Sequence, residues 1–97
     1  MATITTDTLE GTIDGTVSYH YDVFADVLYL RLIDQMETPS VGEETDDGMI
    51  ELRAENTNRL IGITIISWWK RFGQGSLPDS ISEIQKQIEP LARKVAA

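Results

Sequence analysis

The chain has 97 residues, with 16 acidic against 8 basic side chains, a formal net charge of −8 and no cysteine. This length supports one domain with one modest core, burying roughly 60 to 70% of the surface that the unfolded chain exposes. The charge repels phosphate backbones, so nucleic acid is not an expected ligand, and the lack of thiols excludes disulfides, thiolate metal sites and cysteine nucleophiles.

Residues 1 to 15 have neither a basic start nor an apolar stretch, and the longest apolar run elsewhere is broken by Gly62, Thr64 and Ser67. Neither an export signal nor a membrane span is expected, and the cysteine-free composition fits a cytoplasmic protein. The first 15 residues read as a flexible arm or an edge strand, with Gly11 and Gly15 interrupting any regular element, and residues 16 to 97 as a single α+β domain.

From Thr16 to Asp22, Val17, Tyr19 and Tyr21 alternate with Ser18 and His20, a period of two that predicts a strand. Asp26 to Ile33 follows as a second strand with Leu28, Leu30 and Leu32 on its core face. Residues 34 to 47 form a long polar connection, with a brief edge strand near 40 to 44. Gly48 to Ala54 alternates again, with Ile50 and Leu52 expected inward and Glu51 and Arg53 outward. Arg31 is expected to share that polar face, held by cross-strand ion pairing. Leu60 to Ile66 puts Ile61, Ile63 and Ile65 on one face, after a turn in which Asn56 and Asn58 tolerate positive φ.

The segment 80 to 95 places Ile81, Ile84, Ile88, Leu91, Ala92 and Val95 in one stripe at helical spacing, with a capping-box pattern at Ser80 and Glu83. Pro90 lies opposite that stripe and predicts a kinked helix. The expected fold is α+β, an antiparallel meander of about four strands with this C-terminal amphipathic helix on one face.

The series Tyr21-Asp22, Ala25-Asp26-Val27-Leu28-Tyr29-Leu30, Gly48-Met49-Ile50 and Leu60-Ile61-Gly62-Ile63-Thr64-Ile65 resembles a family of small prokaryotic domains, domain of unknown function 2283, over about Ser18 to Arg71. Val23 and Phe24 stand where that family usually has polar residues or proline, and Thr64 where an acid is common. The resemblance implies no established activity or catalytic residue. It implies only that some members are encoded beside small toxin-like proteins.

Glu43, Glu44, Asp46 and Asp47 are the candidate ligands for a hard cation, although without calcium-loop spacing. His20, the only histidine, is the natural candidate for a general base, but no serine or cysteine motif frames it. In Trp68-Trp69-Lys70-Arg71-Phe72, a helical turn would pack Trp68 and Phe72 on the core. That leaves Trp69, Lys70 and Arg71 as candidate interface residues. No glycine-rich phosphate loop or other cofactor fingerprint occurs, so no cofactor is expected.

These features favour a non-enzymatic, self-associating interaction module, a homodimer that binds and neutralises a basic protein partner such as a small toxin. The alternative is a metal-assisted hydrolase using the acidic loop from Glu43 to Asp47.

Overall fold

A computed structural model describes residues 8–46, 48–73 and 81–96, with the backbone alone for Thr8 and for 81–85. Six strands, β1 (Thr8–Ile13), β2 (Val17–Asp22), β3 (Val27–Leu32), β4 (Ser40–Glu44), β5 (Met49–Ala54) and β6 (Leu60–Ile66), precede a short helix α1 (Trp68–Phe72) and a long helix α2 (Ile81–Ala96). All strand pairs are antiparallel, in the order β1-β2-β3-β6-β5-β4. The architecture is α+β as expected, but with six strands instead of four. Two three-stranded meanders meet along β3 and β6.

The two additional strands are the edges, where one neighbour suffices and polar composition is tolerated. β1 forms despite Gly11, and Gly15 lies beyond it in the turn; each glycine has a structural use. Gly11 lies opposite Tyr19, and a Cβ there would come within 2.6 Å of the tyrosine hydroxyl, so the missing side chain makes room for the ring. Asp14 and Gly15, at φ of 53° and 63°, are the central residues of the turn into β2, closed by the Thr16 N–H donating to the Ile13 carbonyl at 3.1 Å.

The buried face carries Leu9, Val17, Tyr19, Tyr21, Leu28, Leu30, Leu32, Ile61, Ile63 and Ile65, as their period of two requires. Ile88, Ala92 and Val95 of α2 are buried with them, and α2 packs on β1, β2, β3 and β6. The helix runs unbroken through Pro90, which is exposed. The capping-box pair Ser80 and Glu83 lies outside the described side chains.

β5 reverses the expected facing. Met49, Glu51 and Arg53 share the α2 side with Ile63 and Ile65, whereas Ile50 and Leu52 lie on the opposite, open face with Thr64 and Gly62. α2 packs chiefly on β1, β2, β3 and β6, so the helix side of β5 lies at the margin of that cover and admits charge; there Glu51 lies 2.8 Å from Arg53 and 4.0 Å from Lys94 of α2. Arg31 does lie on the open face but does not pair with a carboxylate there. Its guanidinium donates to the carbonyls of Gln35 (3.0 Å) and Thr38 (2.6 Å), pinning the connection that carries the chain from β3 to the far edge.

Gly62 permits the close approach of the two meanders, since a Cβ there would lie 2.6 Å from the Leu30 carbonyl oxygen. Gly62→Ala is therefore expected to cost about 1 to 3 kcal/mol through overpacking against backbone. Gly42→Ala meets side-chain atoms alone, the Ile50 Cγ2 methyl at 3.2 Å and Leu52 Cδ2 at 3.8 Å, on an exposed edge strand, and should cost less than about 1 kcal/mol. Thermal midpoints of the two variants check this, and equal losses would contradict it.

Candidate functional site

At one end of the sheet, the β2–β3 hairpin tip, the end of β6, α1 and the β4–β5 turn come together around Asp26. Asp26 adopts φ of 55°, a conformation open to short polar side chains. Its Oδ1 accepts from the Tyr21 hydroxyl (2.7 Å) and the Trp69 N–H (2.8 Å), its Oδ2 from the Lys70 N–H (3.1 Å), and its carbonyl from the Trp68 N–H (3.1 Å). A helix leaves its first N–H groups without intrahelical partners. Ser67, in the left-handed region, gives no side-chain cap, and one residue 43 positions away from Trp69 caps the helix instead.

Partial burial tends to raise the Asp26 carboxyl, but the bonds from Tyr21, Trp69 and Lys70 and the Lys70 charge outweigh it and hold the group below the usual carboxylate range. Burial first, and then Asp26, push the Tyr21 phenol above its ordinary value. Asp22 closes the same hairpin tip by accepting the Ala25 N–H at 3.0 Å. Sequence reasoning missed this role of Asp26, because Trp69 and Lys70 lie 43 and 44 residues along the chain and only the fold brings them to it.

Around this anchor, Trp68 is buried edge-on against Tyr21, with ring centroids 5.0 Å apart. Trp69 is partly buried, edge-on to Trp68 at 5.5 Å, with Gly73 folded against its ring. Phe72 does not pack inward as expected from its spacing to Trp68. It is 46% exposed, because α1 ends at once in Gly73 and Trp69 takes the second inward position. Arg71 lies 4.9 Å over the Phe72 ring and donates to the carbonyls of Gly48 (3.1 Å) and Ile66 (3.4 Å). Gly48, at φ of 79°, provides the turn and leaves space for that guanidinium, which a Cβ would meet at 2.7 Å. Lys70 is exposed, and Phe24, in the hairpin tip, is 82% exposed.

A family model described as protein of unknown function (DUF2283) matches residues 18–67, just over half of the chain. The chain belongs to the DUF2283 family. The match contains Tyr21, Asp26, Gly48 and Gly62, and each has a physical role in capping α1, seating Arg71 or letting β6 approach β3. The DUF2283 region thus supplies the platform, and α1 begins immediately beyond it. No curated protein and no solved structure matches this chain significantly.

The acidic candidates are spread out. Glu43 and Glu44 are consecutive on an edge strand and therefore point to opposite faces, one opposite Glu51 and the other opposite Ile50. Asp46 is exposed in the turn and Asp47 lies outside the described residues. Among the described residues no group of three or more potential metal ligands converges. The Glu10 carboxylate accepts from His20 Nδ1 at 2.7 Å, and the His20 ring meets Tyr29 edge-on at 5.7 Å, on the open sheet face. No described helix is long and apolar enough to cross a membrane.

Proposed function

We propose that this domain is a self-associating protein-interaction module that engages a basic protein partner, of the small-toxin class, through the end of the sheet built on Asp26. The observation that supports it is exposed Phe72 beside Trp69, Lys70 and Arg71 on a helix anchored by hydrogen bonds to Asp26, the residue two positions along the hairpin tip from exposed Phe24. Aromatic residues and arginine on a rigid support are the composition of interface anchors. The net charge of −8 favours encounter with a cationic protein.

Trp69 and Arg71 also hold the fold, so their truncation mixes folding with binding. Phe24→Ala/Phe72→Ala is the cleaner test, with about 2 kcal/mol or more of binding expected to be lost, roughly thirtyfold in affinity. The thermal midpoint should change little. Affinity capture from the native cell with parent and variant as paired baits, followed by titration of the captured protein, measures this. An acidic partner, or a partner bound equally by both baits, would count against the assignment.

A further inference from the structure

The open face of the sheet carries one continuous row across all six strands: Glu10, His20, Tyr29, Thr64, Ile50 and Glu44, in spatial order. Its middle carries no carboxylate: Tyr29, 44% exposed, and partly buried Ile50 flank Thr64. Ile66, 51% exposed, and Val27 lie one row away on one side and Leu52 and Arg31 on the other, the Arg31 guanidinium being taken up by the carbonyls of Gln35 and Thr38. Carboxylates are confined to the ends of the row, in a chain of net charge −8. β5 sharpens the point: it turns Ile50 and Leu52 to this face and its charges toward the helix, the pattern of a strand whose cover is on the open side.

We propose that a second copy of this chain covers the face, sheet against sheet, about a two-fold axis that runs along β6 and passes at Thr64. This deepens the self-association proposed above and rests on it. Stacked sheets lie about 10 Å apart with strands within about 30° of parallel. Rotation about β6 reverses the strand order, so β3 of one copy meets β5 of the other and β2 meets β4. The register then puts Tyr29 opposite Ile50, Thr64 opposite itself, Ile66 opposite itself, and His20, already bonded to Glu10, opposite Glu44. A mostly apolar centre, with Arg31 opposite Leu52, meets its own copy inside a polar rim, and the patch is self-complementary as a two-fold interface requires.

The size is suitable. The axis overlaps five strands of each copy and leaves β1 outside; at about 4.8 Å per strand and about 20 Å in length these present roughly 500 Å² in projection. Side-chain relief raises the accessible area toward the roughly 800 Å² that each partner contributes to a standard interface. The charge argument selects a second copy over another protein, because two acidic chains associate most readily where neither presents carboxylates at the centre.

The axis makes a specific test available. Thr64→Lys and Thr64→Glu each place like charges against one another across the axis, and each alone should weaken the dimer at least tenfold in sedimentation equilibrium. An equimolar mixture should restore a mixed dimer of parental strength, which also shows that both variants are folded. As an independent probe, Thr64→Cys gives the chain a single thiol. A nitroxide on it should show strong dipolar coupling between copies, since the sheets are about 10 Å apart. A parent that is monomeric at every concentration overturns both this surface and the self-association on which it rests. A dimer indifferent to charge at position 64 and lacking dipolar coupling overturns the surface alone. Charged variants that dissociate but do not restore one another overturn the axis.

Discussion

Alanine at position 26 is expected to destabilise the domain by about 3 to 4 kcal/mol, a large share of the roughly 5 to 15 kcal/mol available to a small protein. The Asp26 carboxylate accepts hydrogen bonds from Tyr21, Trp69 and Lys70, and without it the hydroxyl of buried Tyr21 and two N–H groups of α1 lose their acceptor. The positive φ adds a penalty of about 1 kcal/mol for alanine. Asp26→Asn, which keeps one oxygen acceptor and tolerates that φ, should lose about half as much. The thermal midpoint should fall by about 10 °C or more for alanine. A loss for Asp26→Ala below that of Asp26→Asn would remove Asp26 from its place as the anchor of α1.

The same group sets an acid limit. Because the folded-state carboxyl titrates below its unfolded value of about 3.9, its contribution is complete above that value and is lost as the pH falls through the lower folded value. Tyr21 has the opposite sign. Its folded-state phenol titrates above the unfolded value of about 10, so its contribution is complete below that pH and declines as the pH rises through it. Tryptophan fluorescence through both limbs reports the detachment of α1, and Asp26→Asn should remove the acid contribution from this site.

Ile88→Asp carries the largest expected effect. Ile88 is fully buried among the core residues beneath α2, and an aspartate there exchanges an apolar contact for a charge without solvent. The cost should exceed about 4 kcal/mol, leaving the variant unfolded or insoluble at room temperature. Gln87→Asp, on the exposed side of the same turn, should stay within about 0.5 kcal/mol of the parent. Chemical denaturation of both variants measures the difference, and a similar loss at the two positions would refute the one-sided burial of α2.

Periodicity determined much of this molecule without help from the fold. The alternations in Val17–Tyr21, Leu28–Leu32 and Ile61–Ile65 each placed one face inward, and the stripe through Ile88, Ala92 and Val95 specified the side of α2 that covers them. Residues of the Tyr21-Asp22 to Gly62 series were enough to identify the family. These signals are local, because a strand or helix buried on one side must repeat its apolar residues at its own period.

Tertiary structure decided whatever depended on neighbours. The polar edges β1 and β4 became strands because a pairing partner was available, with Gly11 making room for Tyr19 and Arg31 holding the crossover. The facing of β5 depended on where α2 sits, since a strand with apolar and charged residues in alternation can present either set, and the helix packs chiefly on β1, β2, β3 and β6, which leaves the helix side of β5 able to carry charge. Phe72 was left outside because Asp26 fixes where α1 starts and Gly73 where it stops. Asp26 and Trp69 are 43 residues apart, and a hydrogen bond over that distance leaves no mark in the spacing of a sequence.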